Sequence, residues 1–312
     1  MKPVIITLTL SPAIDKSTTI EKLIADKKLN CSCPVYEPGG GGINVARAIH
    51  RLGGNALAVY PAGGYPGKTF HNLLTRENVH QLVIQTIENT RENLVVLETS
   101  THKQYRFGMP APLLAPQEVD NCLTAVSNIK QMAFLVVSGR FPSGTQRTLF
   151  AGLVKIAKAK NAKLIVDSSG EGLKQAVDVG AYLIKPNVRE LSALSGKVLR
   201  NKHSVIIAAK NIISNSECEI IVVSMAEKGA LLVTSEMALQ AIPPKVMVKS
   251  TVGAGDSTVA GLVWSLAHGK SLKDALKFAV ACGTAATMNA GTELCHAGDV
   301  NELLNRVKLS AM

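Results

Sequence analysis

Residues 250–261 read STVGAGDSTVAG: three very small residues, Gly253, Ala254 and Gly255, then Asp256, then the start of an apolar helical pattern. A glycine-rich turn that feeds a helix exposes unpaired N–H groups and the positive end of the helix dipole, so it suits an anion such as phosphate. Asp256 has two readings there. As a helix-terminal acid it gains about 0.3–1 kcal/mol from the dipole. As a general base beside a bound phosphate it takes the proton from an attacking hydroxyl. Ser or Asn caps a helix equally well without Gly-Ala-Gly upstream, so the tiny residues favour a second body that must approach the backbone.

A turn of this kind belongs between a strand and a helix, and the rest of the chain supplies the alternation. Short β-rich runs at 4–10, 56–60, 133–138, 162–167, 182–184, 219–224 and 230–233 alternate with helical patterns at 43–52, 68–77, 116–130, 144–160, 188–194, 204–215, 254–268, 272–289 and 299–306. This is the signature of an α/β fold, a mainly parallel sheet covered by helices. Two regions break it. Residues 17–36, and 93–109 with its alternating NLVVLETSTHKQYRFGM, read as strands without intervening helices, which predicts a small antiparallel sheet projecting from the main body. No linker, low-complexity tract or internal repeat divides residues 1–312, so one domain is expected.

Composition narrows the function. With 46% apolar residues the chain can bury a large core. No apolar run approaches the roughly 20 residues of a membrane span, and residues 4–10 are too short for a signal-peptide core and lack a cleavage site after them. A cytoplasmic protein with no membrane partner is expected. The six cysteines include one close pair, Cys31 and Cys33, at C-x-C spacing, which favours free thiols in a reducing compartment over a zinc site or disulfide framework. The net charge of +11 invites nucleic acid, but the lysines are scattered and the chain has only twelve aromatics, so stacking platforms are absent and no nucleic-acid partner is expected. A mildly positive field that recruits phosphorylated small molecules fits better.

A second glycine cluster, Gly39 to Gly42, precedes INVARAIHRLG. Four glycines cost much backbone entropy for a mere loop. Asn44 falls in the first turn of the helix that follows, placed to hydrogen-bond a ligand that the glycines admit, or simply to face water. A competing phosphate loop is AGGYPGKT (62–69), between a strand and a helix and ending in Gly-Lys-Thr. It misses the Walker A pattern at its first glycine, where Ala62 stands.

PGGGGINVARAIHRLGG (38–54), IVDSSGEGL (165–173), IKPNVREL (184–191), VVSMAEKGALLV (222–233) and STVGAGDSTVAG (250–261) occur in this order and spacing. Together they resemble the ribokinase-like (PfkB) family of sugar kinases, most closely its 6-phosphofructokinase II branch, beside 1-phosphofructokinases and tagatose-6-phosphate kinases. The resemblance spans nearly the whole chain and implies a three-layer α/β/α domain with a small β-sheet lid, ATP-dependent transfer to a sugar hydroxyl, Mg²⁺, and homodimers built through the lid. It makes Asp256 the base and the amides of Gly253, Ala254 and Gly255 the anion hole. For the nucleotide it implies Lys185, Asn187, Ser224, Gly229, Val280 and Thr284, with Glu190 of the N-x-x-E motif acting on Mg²⁺ through water.

For the sugar phosphate the resemblance implies Asp15, Gly40, Gly41 and Asn44, with Arg91 gripping the existing phosphate and Lys28 helping from the lid, of the same chain or of a neighbouring subunit. A monovalent cation, K⁺ in related enzymes, would draw on Ser250, Val252, Ala286, Asn289 and Gly291. Two places depart from the pattern. Ser250 replaces the Asp that often opens D-T-x-G-A-G-D, which weakens the claim to cation affinity. In VSGRFPSG (137–144), where the family usually reads S-G-S-L-P, Arg140 and Phe141 occupy the third and fourth places, so Arg140 is a further candidate for the sugar phosphate and for the choice of ketohexose phosphate. A catalytically idle sugar-phosphate-binding regulator is the alternative from another class.

Overall fold

The computed structural model describes residues 4–141 and 146–312. Its strands in chain order are β1 (Ile5–Leu8), β2 (Ala13–Ile20), β3 (Val35–Gly39), β4 (Ala56–Ala62), β5 (His80–Gln85), β6 (Arg91–Glu98), β7 (Lys103–Phe107), β8 (Phe134–Ser138), β9 (Lys163–Asp167), β10 (Leu183–Ile184), β11 (Ile220–Ser224), β12 (Ala230–Val233), β13 (Ala238–Ile242) and β14 (Lys308–Ala311). The helices are α1 (Gly41–Arg51), α2 (Gly64–Arg76), α3 (Pro116–Asn128), α4 (Gln146–Ala159), α5 (Gly170–Asp178), α6 (Val188–Ser195), α7 (Lys202–Ser214), α8 (Ala254–Ala267), α9 (Leu272–Thr287) and α10 (Ala297–Leu304).

Ten strands form one sheet in the order β14-β13-β12-β11-β10-β9-β8-β1-β4-β5. From β5 to β11 every pair is parallel, and β12, β13 and β14 add antiparallel strands at one edge. Alternate residues feed two separate cores. Ile5, Val136, Ile165 and Val222 pack on one face with α1, α8 and α9; Ile6, Leu135, Leu164 and Ile221 pack on the other with α3, α4, α5 and α7. A strand buried on both faces reads as a continuous apolar run, which is why IITL and IIVVS were legible as strands. The three-layer α/β/α architecture is as expected.

Four strands form the lid, in the order β3-β2-β6-β7. Its two outer pairs are antiparallel, but the central pair β2 and β6 is parallel, with Ala13 opposite Arg91 and Ile20 opposite Glu98. This departs from the purely antiparallel lid expected. The reason is topological: β2 follows β1 and β6 follows β5, two parallel strands of the main sheet, so both leave it in the same direction. The lid also begins earlier than expected, at Ala13, and the stretch between β2 and β3 is irregular and mostly exposed. Strands β5, β13 and β14 went unrecognised, being short edge or near-edge strands.

The chain runs outward from β1 to β4 and β5, then returns to lay β8 on the other side of β1 and continues through β9, β10 and β11. Such a reversal opens a crevice at the carboxyl ends of the strands. Thr9, Gly139, Asp167 and Lys185 all stand at or within one residue of those ends.

Candidate active site

Helix α8 begins at Gly253, whose φ of 74° is left-handed and suits glycine. Packing of α8 on α1 brings Asp256 to Asn44, 212 positions earlier: Asn44 Nδ2 donates to Asp256 Oδ2 at 2.9 Å. Lys185, just beyond β10, is 7% exposed, and its ammonium lies 3.1 Å from Asp167 Oδ1 at the end of β9. A Cβ added to Gly255 would stand 3.5 Å from Lys185 Nζ, so the lysine lies directly against the Gly-Ala-Gly turn.

These groups set one another's protonation. Burial pushes the Asp256 carboxyl up to about 6, reinforced by the Asp167 and Asp15 charges and opposed by the Asn44 hydrogen bond and the Lys185 ammonium. Burial alone would lower Lys185, but the adjacent Asp167 carboxylate outweighs it and leaves the lysine raised and charged. Asp15 is also raised by burial, against an Asn93 hydrogen bond of 2.8 Å. The Lys185 ammonium is thus shared by the Asp167 and Asp256 carboxylates, with Asp256 positioned to exchange a proton near neutrality.

The Gly39–Gly42 cluster is a packing device. A Cβ at Gly39 would collide with the Asp15 carboxylate, one at Gly41 with Ser138 Oγ, and one at Gly42 would fall 2.6 Å from Thr9 Oγ1. Gly40, at φ 121°, is the left-handed residue that starts α1. The glycines therefore bring the N-terminus of α1 against the ends of β1 and β8 and against the lid strand that carries Asp15.

Arg91 opens β6 in the lid. Its guanidinium donates to Ser11 O and Met109 O, both at 3.1 Å, while Nε is buried without a partner. Burial and the nearby positive charge of Arg140 lower its pKa, and Asp15 opposes them. Arg140 is exposed, one residue beyond Gly139, and Arg91 and Arg140 thus repel each other across a region that an anion would neutralise. Phe141 packs on Phe150 with ring centroids 4.6 Å apart, and Pro142, Ser143 and Gly144 lie outside the described residues. Lys28 stands exposed in the segment between β2 and β3.

A cleft of about 1070 Å³ runs past the Gly-Ala-Gly turn. Its lining includes Asn187, Ser224, Gly229, Val280 and Thr284 together with Ala254 and Gly255. Five of the six residues implied for the nucleotide therefore share one cavity, and the sixth, Lys185, is buried against the same turn. Asn187 caps α6 and accepts from Glu190 N at 2.9 Å, while Glu190 Oε2 accepts from Asn187 N at 2.8 Å. N-x-x-E is thus a reciprocal capping box that leaves the second carboxylate oxygen of Glu190 available.

Of the five residues implied for a monovalent cation, Ser250, Val252 and Gly291 meet, while Ala286 and Asn289 pair locally at the end of α9. Ser250 Oγ donates to Gly291 O at 2.7 Å, Val252 N donates to Ser250 Oγ at 3.2 Å, and Asn289 N donates to Ala286 O at 3.3 Å. The serine hydroxyl thus takes one lone pair of the Gly291 carbonyl, where an Asp would bring negative charge.

The competing phosphate loop does not form. Gly64 to Thr69 lie within α2, and Lys68 is exposed with its ammonium 5.5 Å over the Tyr65 ring. Gly63 and Gly64 instead allow close packing on Thr86, Glu88 and Asn89.

Comparison with known proteins agrees with this geometry. Residues 6–297 match the pfkB family carbohydrate kinase pattern. The chain belongs to that family. The kinase is 43% identical over 300 residues to the ATP-dependent 6-phosphofructokinase isozyme 2 of Escherichia coli K12, covering 96% of this chain and 97% of that one. Phosphofructokinase-2 from E. coli solved in complex with potassium superposes with a TM-score of 0.93 at 42% identity, and the same enzyme in complex with fructose-6-phosphate superposes at 0.92 and 40%, each covering 98% of this chain and 99% of that one. The kinase is accordingly an ATP-dependent sugar-phosphate kinase, and none of its described helices is long and apolar enough to cross a membrane.

Asp167, Asn93 and Arg47 were not among the expected site residues. Asp167 was visible as an acid closing a strand in IVDSSG. Asn93 sits opposite Asp15 across the parallel lid pair, which an antiparallel lid would not predict.

Proposed function

We propose that this kinase transfers the γ-phosphoryl group of ATP to the 1-hydroxyl of fructose 6-phosphate, with Asp256 as the general base. The observation that carries the reading is the position of Asp256. It lies in the first turn of α8, beside Ala254 and Gly255 of the Gly-Ala-Gly turn, which line the cleft, while its carboxylate accepts a hydrogen bond from Asn44, just after the Gly39–Gly42 cluster, and feels Asp15. A hydroxyl donor and a phosphate would meet at that carboxylate.

The chemistry asked of the protein is mostly positioning and electrostatics. Asp256 takes the hydroxyl proton. The amides of Gly253, Ala254 and Gly255, at the positive end of α8, stabilise charge on the transferring group, and buried Lys185 adds a full positive charge beside them. Asp15 and Asn44 hold sugar hydroxyls, and Gly40 and Gly41 let the ring approach. Arg91 and Arg140 hold the existing phosphate, with Lys28 contributing from the lid, within one chain or across a dimer. Ser224, Gly229, Val280 and Thr284 form the nucleotide walls.

Mg²⁺, when bound, neutralises phosphate charge; a hard cation needs only one or two carboxylates and water, which the available oxygen of Glu190, aligned by Asn187, supplies. Neutral carbonyl and hydroxyl oxygens around Ser250, Val252, Ala286, Asn289 and Gly291 fit a monovalent cation of the kind found in the E. coli structure. Exposed Val35, Tyr36 and Phe107 on the lid support a homodimer through that sheet.

A coupled ADP-release assay with Mg²⁺-ATP and K⁺ tests the assignment by comparing fructose 6-phosphate, tagatose 6-phosphate and fructose 1-phosphate at equal concentration. Preference for fructose 6-phosphate is expected. Preference for either of the others reassigns the acceptor, and no turnover with any of them favours a binding regulator.

The protonation of Asp256 gives a second expectation. A base must be ionised, so kcat at saturating substrate should fall on the acid side as the raised Asp256 carboxyl takes up its proton. Saturation keeps titration of the substrate phosphate, near pH 6, out of the measured limb. A kcat that stays flat down to pH 5 would contradict the role.

A further inference from the structure

Arg47, on α1 three residues after Asn44, is 1% exposed and is one of the largest fully buried side chains in the molecule. A buried guanidinium persists only when its donors are answered. Here Nε and Nη2 bind Glu77 at 2.8 and 2.7 Å, and Nη1 donates to the carbonyl of Pro38 at 2.9 Å and to Asn44 Oδ1 at 3.4 Å. Glu37, in the lid strand β3, lies 3.7 Å from Nη2, and its other oxygen accepts from the Thr292 hydroxyl, next to Gly291. One side chain thus touches α1, α2 and the lid, and through Glu37 reaches the loop after α9.

The contact with Asn44 has a chemical consequence. An amide can present oxygen or nitrogen to Asp256, and only the nitrogen can donate to a carboxylate. A cation on the opposite side requires the oxygen, which turns Nδ2 toward Asp256 as observed. Surrounding groups oriented in this way commonly decide how well a reacting group performs.

We propose that Arg47 is a positioning residue of the phosphoryl-transfer reaction: anchored on Glu77, it orients the Asn44 amide so that Nδ2 donates to Asp256 and holds the base in its reactive place. This rests on the reading of Asp256 as the base. Other charged groups facing Asp256 are Asp167 from β9, Lys185 beyond β10 and Asp15 from β2, and none of them contacts Arg47 by a hydrogen bond. Without Arg47 the amide is free to turn, the carboxylate loses a donor that favours its ionised form, and its pKa rises.

The test is the pH profile of Arg47→Lys, which keeps a charge but not the planar fork. The expected result is a kcat about 10–100-fold lower, an acid limb moved up by roughly half to one pH unit, and an ATP KM within about twofold of the parent. In an Asn44→Ala background the same substitution should add no further shift. If Arg47→Lys does not fold, the double variant Arg47→Gln/Glu77→Gln removes both charges together and is read in the same way. An unmoved limb, or a shift that persists in full without Asn44, overturns the proposal. Should the parent show no phosphoryl transfer, the base reading fails on its own, and ¹³C carboxyl titration of Asp256 in parent and variant measures the Arg47 effect without turnover: an upward shift supports it, an unchanged titration overturns it.

Discussion

Asp256→Asn is expected to lower kcat by about 10²–10⁴-fold while the dissociation constants for sugar phosphate and ATP change by less than about threefold, an expectation set by the uncharged but isosteric amide. The substitution keeps an oxygen that can accept from Asn44, so the packing of α8 on α1 survives. Stability gives an independent check. The folded carboxyl titrates near 6, above its ordinary value, so its ionised form is disfavoured in the fold and stability is lost as pH rises through that interval. Replacement by a neutral amide removes this cost, and the variant should melt no lower than the parent at pH 7. A large loss of turnover with an unchanged or raised melting temperature assigns the effect to chemistry. A loss that accompanies a drop in melting temperature and in ligand binding would assign it to the fold instead.

Lys185→Met should have the second-largest effect. Removing an electrostatic donor next to developing charge typically costs about 10²–10³-fold in kcat, and Lys185 lies against Gly255 of the Gly-Ala-Gly turn, the proposed anion hole. The same change strands Asp167, its ion-pair partner at 3.1 Å, and breaking a buried pair costs about 3–5 kcal/mol. It also removes a positive charge that holds Asp256 down, so the acid limb of kcat should move upward. The double variant Lys185→Met/Asp167→Asn separates the two roles. It should recover most of the lost stability, because no unpaired charge remains, yet stay slow. Recovery of rate together with stability would mean that Lys185 serves the fold alone.

The sequence disclosed those parts of the site that are local along the chain. Gly253-Ala254-Gly255-Asp256 is a turn and a helix start within four residues, and the chemistry of a helix N-terminus can be read without tertiary structure. The doubly buried strands were equally visible, since IITL, FLVVS and IIVVS admit little else. What remained hidden depends on packing between distant segments. Asn44 and Asp256 meet across 212 positions. Arg47 reads as an ordinary basic residue among the apolar positions of α1, and nothing nearby announces that Glu77 and Glu37 will surround it.

Direction of pairing was hidden for a related reason. Alternation in 93–109 shows a strand with two unlike faces, but not whether its neighbour runs with or against it. That is decided by β2 and β6 leaving the main sheet side by side, and with it the opposition of Asp15 and Asn93. The glycine cluster shows the opposite limit. That four glycines in a row need a reason was legible, while their close approach to Ser138, Thr9 and Asp15 could be seen only once β1, β8 and the lid strand were in place.

Identification of the product by ³¹P NMR tests whether Asp256 drives phosphoryl transfer to the 1-hydroxyl of fructose 6-phosphate. The kinase is incubated with fructose 6-phosphate, Mg²⁺-ATP and K⁺, and Asp256→Asn is carried in parallel. A new phosphomonoester resonance on carbon 1 is expected, giving fructose 1,6-bisphosphate in step with ADP, and its absence from the variant over the same time. ADP formed with inorganic phosphate instead of a second sugar phosphate ester, or bisphosphate formed by the variant at the parent's rate, would contradict it.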